Sequence, residues 1–550
     1  MDTAEKFVVG VDVGTGSARA GLFDLMGRRR AIASKPIQLW QPKPEWAEQS
    51  SDDIWDAVGT VVRQVVADSG IRPEQVVGLG FDATCSLVVL DKDDHALSIS
   101  ESGDPARNVI VWMDHRALAE TEEINRGGYD VLRYVGGKLS PEMEIPKLCW
   151  LKTHLPDTWN RAGKFLDLAD FLTYRCTMRD VRSLCTNVCK WTYLGKEGRW
   201  DTDFLAQVGL GDLLNGGRVG TDIRPMGEPI GPLTAEAAAH LGLTMGTAVG
   251  VGIIDAHAGG LGVLGAAGDD WNSALALIGG TSSCHMAVSK EPRFIPGVWG
   301  PYYSAMVPGF WLTEGGQSAT GALLDYTLQN HAASPALTRL AEQSSLTIYE
   351  VINTEVARLA ADAGLPDPAY LTRDLHVFDG HLGNRSPLAD PRARGLVDGL
   401  SLDMSLASLA LLYLATLQSI AYGTRAIIGA LNASGYAISR LYAVGGGTKN
   451  PLWVQQHADI TGAELVLPEE SEAVLLGAAL LGAVAAGSYT EIPAAMRSMC
   501  RSASVVAPNP ATADYHAAKF RIYEELYTQQ KTRRDVMQGF DLRSSATESG

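Results

Sequence analysis

Cysteine is scarce and scattered. The seven residues (Cys85, Cys149, Cys176, Cys185, Cys189, Cys284 and Cys500) are odd in number, and none sits in a C-x-x-C pair. That argues against a disulfide framework or a zinc site, and predicts a reducing, cytoplasmic compartment. Basic charge is in deficit as well: 46 Lys and Arg against 63 Asp and Glu leave a net charge of −17. Such a chain repels nucleic acid and anionic membrane, so neither is expected as a partner. A phosphate-bearing ligand would then need a local site, with Mg²⁺ screening its charge. Long apolar runs are missing from this reading. The most apolar stretch, residues 474–486, is short and rich in Ala and Gly, which predicts a packed helix rather than a membrane span. The start, Met1-Asp2-Thr3-Ala4-Glu5, lacks the basic segment and apolar run of a secretory signal. A Walker-type G-x-x-x-x-G-K-[ST] is absent. The glycines at Gly14-Thr15-Gly16-Ser17 also fail as a dinucleotide fingerprint, because Arg19 stands where a third glycine belongs and a strand, not a helix, should follow.

What is present is enough chain for two large lobes. The sequence has 550 residues, 46% of them hydrophobic. A β-branched run from Phe7 to Val13 predicts a buried strand, and Ala18 to Asp24 a second. Asp52 is a candidate cap for a helix whose apolar face is Ile54, Val58, Val61, Val62 and Val65. Strands are expected again at Val76 to Phe81 and Val109 to Trp112. Strands alternating with helices point to an α/β fold. The opening pattern then recurs: strand Ala274 to Ile278, turn Gly279 to Ser283, strand Cys284 to Val288. Thr15 and Thr281 lie 281 − 15 = 266 positions apart, near half the chain, which suggests a duplicated fold with one cleft between lobes. The boundary is expected near residues 262–272, giving lobes 1–265 and 266–550. From about residue 502 the chain reads as partly less ordered, with charged helical character over 515–537.

Two such turns, each carrying Thr and Ser, point their amides and hydroxyls at phosphate oxygens. Asp12, adjoining the first, is either a turn-stabilising carboxylate or an anchor for Mg²⁺. A third cluster, Gly445-Gly446-Gly447-Thr448-Lys449-Asn450, links strand Leu441 to Val444 to a helix starting near Pro451. Backbone there can approach a flat ligand such as adenosine. Finally, Gly250-Val251-Gly252-Ile253-Ile254-Asp255-Ala256-His257-Ala258-Gly259-Gly260 sets one carboxylate at the end of an apolar strand among small neighbours. Asp255 is either a helix cap or a catalytic base facing a cleft. His257 beside it is either packing or a substrate contact.

Taken in order, these elements resemble the FGGY carbohydrate kinases from Phe7 to about Gly487. The matching set is Asp12 with Gly14 to Ser17, Glu45-Trp46-Ala47-Glu48-Gln49, Val111-Trp112-Met113-Asp114-His115-Arg116 and Pro146-Lys147-Leu148-Cys149-Trp150-Leu151. It continues with Asp255-Ala256-His257-Ala258-Gly259, Gly280-Thr281-Ser282, Gly315-Gly316-Gln317-Ser318 and Gly445 to Asn450. The resemblance implies two ribonuclease-H-like, actin-type ATPase lobes with MgATP in the cleft, and phosphorylation of a sugar or polyol hydroxyl. It makes Asp255 the general base. It gives the nucleotide to Gly14, Thr15, Gly16, Ser17, Gly280, Thr281, Ser282, Gly321, Gly446, Gly447 and Asn450, and Mg²⁺ to Asp12. A homodimer is also implied.

In the sugar segment Asp82-Ala83-Thr84-Cys85-Ser86, Ala83-Thr84 replaces the Arg-Glu pair of the family's glycerol kinases, which argues against glycerol. Thr84-Cys85-Ser86 is similar to ribulose kinases, and Lys190 and Glu314 are similar to sugar-contacting positions of L-ribulose kinases. Asp114, Glu142 and Glu144 complete the expected pocket. The resulting expectation is a D-ribulose kinase, with L-ribulose and xylulose as alternatives. Another class, a nucleotide-switched actin-like binding protein or an inactive sugar sensor, would not need Asp255 to face a sugar pocket.

Overall fold

A computed structural model describes residues 5–538, so residues 1–4, part of the stretch read for a secretory signal, lie outside the described residues. The first sheet has seven strands. β1 (Phe7–Val13), β2 (Ser17–Asp24) and β3 (Arg29–Pro36) form an antiparallel arm. On its other side β1 pairs in parallel with β4 (Val76–Ala83). Beyond lie β5 (Pro229–Pro232) and β6 (Ala248–Gly250), while β7 (Ile253–Ile254) pairs with the far end of β4. Every residue of β1 is buried, as an unbroken apolar run requires when both faces of a sheet are covered.

The second sheet repeats the plan with β8 (Ala274–Gly279), β9 (Ser283–Ser289), β10 (Trp299–Tyr303), β11 (Trp311–Gln317), β12 (Arg440–Gly445), β13 (Glu464–Pro468) and β14 (Ser502–Val506). Their order is β10-β11-β9-β8-β12-β13-β14. As in the first sheet, a hairpin (β8 and β9) pairs its first strand in parallel with a later one, β12. The turns correspond too. The Gly14 amide donates to the Ser17 carbonyl at 3.0 Å, and the Gly280 amide to Ser282 at 2.8 Å.

Three expectations change. Helix Ser51–Ser69 is capped by Ser50, whose hydroxyl accepts from the Asp53 amide at 3.3 Å. Asp52 sits in its first turn, where a carboxylate complements the helix dipole without capping. In the stretch from residue 502, read as partly less ordered, residues 502–506 are strand β14, paired with β13, helix Ala513–Gln538 follows, and residues 539–550 lie outside the described residues. Apolar helices are also longer than the sequence suggested. Leu406–Ala433 has the length and hydropathy of a membrane span, yet 72% of its apolar window is buried within the fold, which makes it a core helix.

Two helices join the sheets: α1 (Asp255–Leu264), which follows β7, and α2 (Ala473–Ala485). Although α2 belongs to the second half of the chain, it packs on β1, β4 and α1. A division at residue 265 therefore does not separate every element. The contact is backbone on backbone. A Cβ added to Gly10 would stand 2.0 Å from the Leu475 carbonyl, one on Gly80 2.0 Å from that of Ala478, and one on Gly477 1.9 Å from that of Ala258. Gly10→Ala must push the helix off the sheet and is expected to destabilise by about 3 kcal/mol, as overpacking against immovable backbone does. Chemical denaturation measures this, and an unchanged midpoint would show that the helix is free to move.

Candidate active site

A cleft of about 610 Å³ opens between the two sheets at the carboxyl ends of β1, β7 and β8. That is where open α/β sheets bind ligands, and the volume suits a small molecule. Strand register assembles its floor. Asp12 stands opposite Asp82 across β1 and β4, and Ile254 opposite Ala83, so Asp12, Asp82 and Asp255 gather at adjacent strand ends.

The first turn (Gly14, Thr15, Gly16, Ser17) and the second (Gly280, Thr281, Ser282) face each other across this cleft, and Asp12 and Asp255 line it with them. The first turn is braced from behind: Trp112 Nε1 donates to Thr15 Oγ1 at 2.9 Å and Gln49 Nε2 to the Thr15 carbonyl at 2.7 Å. Gly321 braces the second, donating its amide to the Gly280 carbonyl at 3.0 Å, and a Cβ there would be 2.6 Å from the same oxygen. Gly445, with φ of 112°, ends β12 so close to β8 that a Cβ would meet the Gly279 carbonyl at 1.8 Å. Gly446 and Gly447 follow in a short 3₁₀ turn, with open space over Gly446. Asn450 is occupied as a helix cap: its Oδ1 accepts from the Leu452 amide at 3.1 Å and its Nδ2 donates to the Tyr413 hydroxyl at 2.7 Å.

Asp255 is the first residue of α1, one past the capping position, and accepts the Ala256 amide at 2.7 Å. Burial and then the charge of Asp12 push it up to about 6, against the opposing pull of Ala256, His257 and Lys190. Asp82 is raised further by burial, then by Asp12, and both of its oxygens are buried without a hydrogen-bond partner. Arg19 donates Nε to Asp12 Oδ2 at 2.8 Å and reaches Glu472 at 2.9 Å. If Asp255 must be ionised to accept a proton, kcat/KM should fall about tenfold per pH unit below roughly pH 6 and level off above it. A pH–rate profile flat from 5 to 8 would remove Asp255 from that role.

The cleft is also lined by Glu142, Lys190, Glu314, His257, Thr84 and Cys85. Lys190 ends helix Leu184–Lys190. Burial would raise Glu142, but His115, Arg385 and Lys190 outweigh it and hold it at about 2. Burial would lower Lys190, but Cys85 and Glu314 outweigh it and keep it charged. Arg385, missed in the sequence, lies 3.7 Å from Glu142. It comes from an irregular segment with no periodic or glycine signal to mark it.

Four expected sugar contacts lie elsewhere. Asp82 and Ala83 are wholly buried in β4, behind the cleft surface. Glu144 is buried 3.6 Å from Lys147, and burial pushes it to about 7. Asp114 is buried too. It takes the Ala47 amide at 2.6 Å and three bonds from Arg116, one from the amide and two from the guanidinium, which also reaches Glu48 at 3.1 Å and stacks over Trp46 and Trp150. The motifs Glu45 to Gln49, Val111 to Arg116 and Pro146 to Leu151 thus meet in one buried knot behind the first turn.

Two repeated sheets holding facing turns over one cleft are the two-lobed actin-type ATPase fold. Residues 7–262 match the N-terminal domain of the FGGY family of carbohydrate kinases, and residues 275–486 match its C-terminal domain. The chain belongs to that family and is a carbohydrate kinase. It is 50% identical to the human FGGY carbohydrate kinase domain-containing protein over 96% of this chain and 97% of that one. It is 41% identical to the D-ribulokinase of Saccharomyces cerevisiae, over 89% of this chain and 73% of the yeast protein. The crystal structure of xylulose kinase from Rhodospirillum rubrum has the same fold, with a TM-score of 0.78 over 96% of this chain and 99% of that chain, at 23% identity.

Proposed function

We propose that the protein phosphorylates the terminal hydroxyl of D-ribulose at the expense of ATP, with Asp255 as the general base. The observation that carries this reading is the place of Asp255: a half-buried carboxylate on the cleft floor, between two facing turns and a polar wall of Glu142, Lys190, Glu314 and Arg385. ATP supplies the phosphoryl group, and Mg²⁺, when bound, would neutralise charge on it. The donor set fits a hard cation at Asp12, a carboxylate that lines the cleft beside the first turn and would hold the ion directly or through water. Arg19 occupies only Oδ2 of Asp12.

Hydroxyls and amides of Thr15, Ser17, Thr281 and Ser282 are the phosphate-facing groups. Gly446 and Gly447 offer bare backbone for the base, and Gly321 acts through the turn it supports. Asp255 takes the proton from the attacking hydroxyl, a service typically worth about 10² to 10⁴ in rate. Lys190, Glu142, Glu314 and Arg385 bring fixed charges that can donate to and accept from a polyhydroxylated chain. The Thr84-Cys85 segment and the likeness to the yeast D-ribulokinase favour D-ribulose over glycerol, xylulose or L-ribulose. A cytoplasmic location, and lobes that divide near residue 265 apart from the shared helix α2, belong to the same reading.

Turnover measured with D-ribulose, L-ribulose, D-xylulose and glycerol under saturating MgATP should give the highest kcat/KM for D-ribulose, with glycerol near background. A higher value for another pentulose would reassign the substrate. ATP hydrolysis indifferent to every sugar would favour a nucleotide switch instead.

A further inference from the structure

Two thiols outside the cleft lining, which sugar phosphorylation does not use, meet His257 of the cleft wall. Cys185 and Cys189 are one helical turn apart on Leu184–Lys190, so both thiols project from one face. That face meets His257. Cys185 Sγ is 3.1 Å from His257 Nδ1, and the sulfurs of Cys185 and Cys189 and a ring nitrogen of His257 all lie within 4.8 Å of one another. The far nitrogen, Nε2, is 3.2 Å from Glu314 Oε2. A carboxylate that takes the Nε2 proton leaves Nδ1 as a lone-pair donor aimed at the sulfurs. This is how ligating histidines are usually oriented.

We propose that Cys185, Cys189 and His257 form a site for a thiophilic divalent cation of the zinc class, and that its occupation inhibits the enzyme. In a tetrahedral zinc site with bonds of about 2.3 Å to sulfur and 2.0 Å to nitrogen, the sulfurs stand about 3.8 Å apart and sulfur and nitrogen about 3.6 Å. With all donor atoms within 4.8 Å, the other pairs need close by no more than about 1.2 Å, while Cys185 and His257, at 3.1 Å, open slightly. His257 and Glu314 both line the cleft while the two thiols do not, so the ion's route in runs past the imidazole. Binding releases the thiol protons to solvent and forms two metal–sulfur bonds and one metal–nitrogen bond, with no change of oxidation state. Inhibition follows from connectivity: His257 is two residues after Asp255 in the first turn of α1 and already holds Glu314, so moving the ring into the metal's coordination geometry displaces both cleft carboxylates from their places against the sugar. Sequence spacing concealed the site, because the pair is C-x-x-x-C and the third donor is 257 − 189 = 68 residues away.

The test uses the full-length, reduced, metal-free protein. One equivalent of Cd²⁺ should produce the ultraviolet charge-transfer absorption of two thiolates, and Co²⁺ the visible bands of a tetrahedral site. Cys189→Ser and Cys185→Ser should each lose about half the Cd²⁺ absorption. The inhibitory arm rests on the kinase reading; the spectroscopic arm does not. Under saturating MgATP, Zn²⁺ should inhibit the wild-type protein reversibly by chelator, while Cys189→Ser keeps its basal activity and needs at least about tenfold more Zn²⁺. No thiolate absorption at one equivalent, or absorption unchanged in both variants because Cys85 and Cys284 supply it, would overturn the proposal. So would equal Zn²⁺ sensitivity in Cys189→Ser, which would place the inhibition at the Mg²⁺ site.

Discussion

Asp255→Asn is expected to lower turnover by roughly 10²- to 10⁴-fold while ATP affinity changes little. The substitution keeps shape, and Asn can still accept the Ala256 amide that Asp255 accepts at 2.7 Å. What it removes is the proton acceptor. Folding should not suffer, because Asp12 lies close enough to raise Asp255 and Asp82 together, and neutralising one of three neighbouring carboxylates relieves repulsion. A thermal midpoint at or above wild type, combined with lost turnover, separates a catalytic role from a structural one. Near-normal turnover in a folded variant would end the assignment.

Arg116→Met is expected to destabilise the protein by about 3–5 kcal/mol, the usual consequence of removing one partner from a buried ion pair. Arg116 shares its guanidinium between Asp114 and Glu48, all three essentially shielded from solvent, and donates to the Ile99 carbonyl at 3.1 Å. Methionine fills similar space but leaves two carboxylates facing apolar surroundings, although Arg107, 3.6 Å from Glu48, relieves one of them in part. Because Trp112 and Gln49 tie this knot to Thr15, partial loss should also loosen the first turn and raise KM for ATP more than KM for the sugar. Denaturant unfolding and the two Michaelis constants check both parts. Unchanged stability with a raised sugar KM would return Asp114 to the sugar pocket, where sequence alone had placed it.

That misplacement shows what the sequence could and could not convey. Local grammar was legible: apolar β-branched runs became β1, β2, β8 and β9, and their Gly-Thr and Gly-Gly-Thr links became facing turns. Asp255 was legible because a lone carboxylate among Gly and Ala at a strand end is unusual chemistry in a small span. Asp114 was not, because its meaning depends on Arg116, Glu48 and the Ala47 amide, brought together only by tertiary folding. Gly10 and Gly80 were equally mute. They look like any strand glycines until α2, 465 residues on from Gly10 and 398 from Gly80, lies against them. Arg385 and the Cys185–Cys189–His257 cluster are also products of tertiary folding, built from segments with no shared spacing.

The central claim is that this cleft moves phosphate from ATP to a sugar bound against Asp255. Its most direct measurement is the product itself, with ADP and phosphorylated sugar quantified together from Mg²⁺, ATP and D-ribulose. The expected result is one ribulose 5-phosphate for each ADP, with both lost in Asp255→Asn. ADP release that continues without sugar, or equals wild type in Asp255→Asn, would contradict it.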